Sequence, residues 1–145
     1  MGVDAADPSQ VLERLHRAMN DHDLEGFLAN FHDEYSSQQP AHPERAFGGR
    51  AQVHENWGAM FGELPDFRAD LIRSVVDGDT VWAEWTWHGT RRDESRLDMS
   101  GVTIFGVREG RIAWGRLYME IVATAEGDIR EAMKRVTAGP APSAK

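Results

Sequence analysis

Between Pro8 and Asn20 the apolar residues Val11, Leu12, Leu15, Ala18 and Met19 recur at the spacing of one helix face. Asp7-Pro8-Ser9-Gln10 in front of them reads as an N-cap, a first-turn proline and the second half of a capping box. After a corner at Asp21-His22, Asp23 caps a second short helix with Leu24, Phe27, Leu28 and Phe31 on one side. A short extended stretch from Glu34 to Gln39 is stopped by Pro40-Ala41-His42-Pro43, and a loop runs on to Gly49. Arg50 to Leu64 is again helical by period, with Val53, Trp57, Met60, Phe61 and Leu64 on one side and Pro65 at its end. Gly58 and Gly62 weaken that helix by about 1 kcal/mol each relative to alanine, so packing has to hold it.

From Phe67 the period changes to two. Runs from Phe67 to Val76 and from Thr80 to Thr90 flank Asp77-Gly78-Asp79, a hairpin signal. The charged loop Arg91-Arg92-Asp93-Glu94-Ser95 precedes a long strand from Arg96 to Val107, in which Gly101 is expected to mark a bulge or bend. The chain is organised around its last hairpin, Gly101 to Glu120, which turns at Glu109-Gly110. On its second arm Arg116, Tyr118 and Glu120 share one face, and Leu117 and Met119 the other. Glu126 to Val136 carries a further helical pattern, and residues 139–145, Gly-Pro-Ala-Pro-Ser-Ala-Lys, are expected to form a disordered tail. The reading is a single α+β domain over residues 1–138: three helices, then a four-stranded meander with an additional short strand near residue 36.

Composition narrows the function classes. At 41% hydrophobic and 28% charged residues the chain is of ordinary globular make-up and long enough, at 145 residues, to bury a sizeable core. Without cysteine there is no disulfide framework, thiolate nucleophile or cysteine-ligated zinc. A net charge of −8 with no basic run opposes a nucleic-acid partner. No window reaches the roughly 18–20 apolar residues that span a bilayer, and the N-terminus has no signal pattern, so the expectation is no membrane partner and a cytoplasmic location. Arginine at 14 against two lysines suggests a GC-rich bacterial genome.

The order of elements, together with Gly49-Arg50-Ala51, Asp77-Gly78-Asp79, Gly101-Val102-Thr103-Ile104-Phe105, Arg108-Glu109-Gly110-Arg111-Ile112 and Tyr118-Met119-Glu120, resembles the SnoaL-like family of the nuclear-transport-factor-2-like superfamily. The resemblance covers about Val11 to Val122. It implies a cone-shaped, curved mixed sheet packed on the three N-terminal helices around a pocket, and an activity of the polyketide cyclase or isomerase type. Superfamily members range from cyclases and hydrolases to domains without catalysis, so the site decides the function. Where ketosteroid isomerases of this fold carry a tyrosine and two aspartic acids, this chain has Leu15, Gln39 and Thr103. Where limonene-epoxide-hydrolase-like proteins carry an arginine and aspartate on the third strand it has Trp85 and Trp87. The final-strand carboxylate of SnoaL-like cyclases is matched by Glu120.

The resemblance therefore implies a small cofactor-free acid/base enzyme acting on a hydrophobic carbonyl compound, without a metal. Glu120 would be the proton shuttle and Arg116 and Tyr118 its orienting neighbours. Gln39 and Thr103 would bind substrate oxygens, and Trp57, Phe61, Trp85, Trp87 and Phe105 would form the wall. Each has a plainer reading beside it. Glu120 and Arg116 suit a strand-end ion pair, and tryptophans that bury about 150–250 Å² each suit a packed core. The alternatives kept open are a non-catalytic binding domain for a hydrophobic small molecule and a homodimeric interaction module joined through the outer sheet face. The six histidines are scattered without compact ligand spacing, which argues against a metal site.

Overall fold

The capping box closes as its residue types dictate: the Asp7 carboxylate accepts from the Gln10 N–H at 2.9 Å, and the Gln10 side chain accepts from the Asp7 N–H at 3.0 Å. The computed structural model describes residues 6–140. Helix α1, Pro8–Asp21, buries Val11, Leu12, Leu15, Ala18 and Met19 and ends on a left-handed His22, φ 54°. Helix α2, Leu24–Leu28, is shorter than its apolar spacing suggests. Asn30 stops it: its side-chain amide donates to the Gly26 carbonyl at 3.0 Å, and its own carbonyl accepts the Ile112 N–H at 2.7 Å. That second bond draws the chain into a strand, so Phe31 begins β1, Phe31–Gln38, instead of completing a helical stripe.

A 3-10 turn, Pro43–Arg45, and a two-residue strand β2, Phe47–Gly48, occupy the expected loop, and α3, Arg50–Glu63, follows. The remaining strands are β3, Arg68–Asp77, β4, Thr80–Thr90, β5, Arg96–Arg108, and β6, Arg111–Ile121, before a terminal helix α4, Ile129–Ala138. Gly139 and Pro140 end the described chain, and the rest of the expected tail, 141–145, lies outside the described residues.

The six strands form one curved open sheet in the order β2-β1-β6-β5-β4-β3. Every neighbouring pair is antiparallel except β1 with β6, which makes the sheet mixed. Glu109 and Gly110, φ 56° and 75°, form the tight β5–β6 turn with both central residues in the left-handed region, as such a connection requires. Gly101 is not a bulge. Pairing runs straight through it, with Trp85 on one side and Met119 on the other, and the register shifts fall instead at Leu71/Arg73 and Gly106/Val107. What demands glycine is close approach: a Cβ at position 101 would meet the Tyr118 carbonyl oxygen at 2.0 Å.

Helix α1 lies across the concave face and ties down the edge strand. The Ala69 N–H donates to Asn20 Oδ1 at 2.7 Å, and the Ala69 carbonyl accepts from Asn20 Nδ2 at 3.0 Å and from His16 Nε2 at 2.8 Å. Asn20 thus stands in for a missing strand partner of β3. Among the described residues no helix packs tightly on the opposite, outer face, and Trp82, Trp114 and Tyr118 are exposed on it.

Candidate functional site

Strand alternation decides what the concave face presents. On β4 it sends Val81, Ala83, Trp85 and Trp87 inward and Trp82, Glu84 and His88 outward. Thr103 and Phe105 of β5, Leu117 of β6, and Tyr35 and Ser37 of β1 meet the two indoles around a cavity, with Leu15 and Met19 of α1 behind and Val53, Asn56 and Trp57 of α3 in front. The enclosed space is about 70 Å³, widening to about 550 Å³ with its mouth. Its wall is largely aromatic: Trp57 stands edge-on to Trp87 at 5.3 Å, and Phe27 lies 4.5 Å from Trp57. Gly115 makes the space: a side chain there would run into the Tyr35 hydroxyl and the Phe105 ring.

Few polar groups reach this space, and among the described residues none lining it is Asp, Glu, His, Lys or Arg. The Trp85 indole N–H donates to Thr103 Oγ1 at 2.9 Å, and both residues are 1% exposed. The neighbouring Trp87 Nε1 is buried and has no acceptor. Burial pushes the Tyr35 phenol up to about 12 against a weaker opposite pull from the Ser37 side chain, so near neutrality Tyr35 is a hydrogen-bond donor and not a base. Gln39 borders the cavity, but its side-chain oxygen is engaged by Arg45 Nη1 at 3.0 Å.

Of the residues expected from sequence, Gln39, Thr103, Trp57, Trp85, Trp87 and Phe105 come together here. Phe61 does not border the cavity; it lies one layer back, 5.7 Å from Trp57 and stacked on His22 at 5.0 Å. The expectation that Glu120, Arg116 and Tyr118 face the cavity has to be corrected. They project from the outer face, because Leu117 and Met119, the apolar residues between them, are the ones turned inward. Glu120 Oε1 accepts from His42 Nε2 at 2.7 Å with both side chains part-exposed, and Arg116 Nη1 donates to Gln38 Oε1 at 2.7 Å. Neither Glu120 nor Arg116 lines the cavity beside Trp85 and Trp87. Tyr35 and Asn56 are cavity residues the sequence reading did not single out. The signal for Tyr35 was the alternation Tyr35, Ser37, Gln39 within the extended stretch from Glu34 to Gln39.

A curved sheet closed by helices over an aromatic, uncharged cavity is the fold of nuclear-transport-factor-2-like proteins. The chain belongs to the SnoaL-like domain family, whose model matches residues 12–114. Similar folds include IdmH of Streptomyces antibioticus, a candidate polyketide cyclase (21% identity, 79% of this chain and 93% of that one, TM-score 0.68). SalBIII, an epoxide hydrolase/cyclase-like enzyme with a role in pyran ring formation in the polyether salinomycin, aligns at 16% identity over 77% and 89%, TM-score 0.68. RV0760c of Mycobacterium tuberculosis, solved in complex with estradiol-17beta-hemisuccinate, aligns at 17% identity over 74% and 89%, TM-score 0.65. No curated protein sequence matches the chain at a significant level. No helix among the described residues is long and apolar enough to cross a membrane.

The Tyr35 phenol gives a pH signature with a definite sign. Its folded-state pKa of about 12 lies above the ordinary tyrosine value of 10.0, so the stabilising burial of the neutral phenol is complete below pH 10 and is lost as pH climbs towards 12. The gap corresponds to about 2–3 kcal/mol of stability. Urea unfolding of the wild type between these pH values is expected to show the decline and Tyr35→Phe to flatten it. A Tyr35 phenolate already formed at pH 10, read from the wild-type minus Tyr35→Phe ultraviolet difference, would contradict the burial argument.

Proposed function

We propose that this SnoaL-like chain holds an uncharged, hydrophobic carbonyl compound in the cavity between β4, β5, β1 and α3. The observation that carries this reading is the chemistry of the wall: aromatic and aliphatic surface with a few hydroxyl and N–H groups and no charged residue. A charged ligand would lose its hydration there without a counter-charge, whereas a neutral one with a single oxygen loses little. IdmH, the candidate polyketide cyclase, and the steroid-derivative complex of RV0760c, similar in fold, accord with a ligand of polycyclic or polyketide type.

Binding is tested with a single-ring ketone, cyclohexanone, by ligand-observed NMR. Leu117→Trp, which fills the cavity from β6, is expected to weaken binding by about tenfold or more, and Glu120→Gln to leave it within about twofold. Loss of binding in Glu120→Gln with none in Leu117→Trp would move the site to the outer face and overturn the reading.

One observation favours a second step, cyclase- or isomerase-type turnover of the bound ligand without a cofactor. Tyr35, kept protonated beside Ser37, is placed to donate to an oxygen on which negative charge develops during enolisation or ring closure. Acid/base work by Glu120 is not part of this reading. For any ketone that the wild type converts, Tyr35→Phe is expected to lower kcat by about 100-fold with little change in KM. An unchanged kcat would remove Tyr35 from the reaction, and a wild type that converts no ketone would leave the chain a binding domain.

We propose in addition that the outer sheet face meets a second copy of the chain. Val75, Trp82, Trp114 and Tyr118 are 61%, 46%, 38% and 38% exposed there, more aromatic surface than solvent contact favours. Analytical ultracentrifugation is expected to show a dimer for the wild type and dissociation for Trp82→Glu. A wild type that stays monomeric at every concentration would refute this.

A further inference from the structure

Two indoles stand side by side on β4, their rings 6.3 Å apart, and only one has its N–H satisfied. The strand register explains the difference. Ala83 pairs with Thr103, Trp85 with Gly101 and Trp87 with Met99. Trp85 finds its acceptor on Thr103, one inward position along β5 from its own partner. The equivalent inward position for Trp87 is Gly101, which has no side chain and, with the Tyr118 carbonyl oxygen pressed against it, has no room for one. On the other flank Trp87 pairs with Ala69, whose carbonyl is already taken by Asn20 and His16. Among the described residues no acceptor meets this donor, although the residue is only 7% exposed and borders the cavity.

A buried indole N–H without an acceptor is costly and rare, and the fold retains one in the wall of its cavity. We infer that Trp87 Nε1 is the specificity-determining donor of the pocket: it selects ligands carrying a neutral acceptor oxygen, a carbonyl or ether, seated against β4 opposite Met99. This inference rests on the cavity being a binding site and adds which atom reads the ligand. Trp85 has the same side chain but no free hydrogen, and provides apolar wall only. Hydrocarbon ligands of the same shape leave the Trp87 N–H unpaired and are discriminated against, as in any site built to hydrogen-bond a ligand oxygen.

The test compares cyclohexanone with its isostere methylenecyclohexane, which replaces the oxygen by a CH2 group. Affinities for both are measured on the wild type and on Trp87→Phe, so that differences in the hydration of the two probes cancel. The ratio of ketone to hydrocarbon affinity is expected to fall by about threefold to tenfold in Trp87→Phe, the worth of one hydrogen bond. On the unmodified protein, nitrogen-15 NMR is expected to show the Trp87 indole N–H resonance shifting downfield with cyclohexanone and not with methylenecyclohexane, while that of Trp85, held by Thr103, stays in place. This second measurement is independent of how well the variant folds. If both probes bind with a ratio that Trp87→Phe leaves unchanged, or the Trp87 resonance responds equally to both, the inference is overturned and the pocket reading survives. If neither probe binds, the pocket reading fails and this inference with it.

Discussion

An indole taken out of water has to place its N–H somewhere, and the interior of this protein is arranged around two solutions to that requirement. At Trp85 the hydroxyl of Thr103 accepts, joining β4 to β5 on the concave face, where both residues are 1% exposed. At Trp87 the register offers Gly101 in place of a hydroxyl, and the demand is left open. The close approach of the Tyr118 carbonyl to Gly101 ties this vacancy to the packing of β6, because no residue with a side chain fits between them. A single strand register therefore sets both the rigid half of the core and the chemically unsatisfied half.

Much of this fold was legible from period alone. The capping box at Asp7, the five-residue stripe of α1, the Glu109-Gly110 turn and the limits of β3, β4 and β5 to within a residue follow from local rules whose physics is local. The errors fall where a distant partner intervenes. Phe31 sits at helical spacing, yet the Asn30 carbonyl is claimed by Ile112, about eighty residues away in sequence, and the chain becomes a strand. The two-residue β2 exists only because Ser36 and Ser37 pair with it. Neither contact has a signature in the segment that makes it.

The site was half legible, and for a related reason. Period two reveals which residues share a face but not which face is inside. On β6 that choice is between Arg116, Tyr118 and Glu120 and the intervening Leu117 and Met119, and the hydrophobic effect settles it in favour of the second set. The family resemblance pointed the other way, by matching a carboxylate position and not its orientation. On β4 the rule worked, since Trp85 and Trp87 alternate with Glu84 and His88 and only one of those faces can be buried. The missing base is the informative outcome: among the described residues the cavity wall offers neutral donors and no carboxylate.

On the proposed reading a ligand has to enter a space of about 70 Å³, whereas ligand pockets usually measure about 300–1,000 Å³. The walls differ in how firmly they are held. Helix α1 buries six residues and is bonded to β3 through Asn20 and His16. Helix α3 fully buries Val53 alone, has no side-chain cap at Gly49, and carries Gly58 and Gly62 in its interior, each a loss of about 1 kcal/mol against alanine. Low packing and weak propensity make α3 the less firmly held of the two helical walls, where opening is less costly. Trp57 belongs to that helix and closes the cavity by standing on Trp87. An outward shift of α3 therefore lifts Trp57 away from the indole whose N–H is free, so that enlarging the pocket and presenting its donor are one motion.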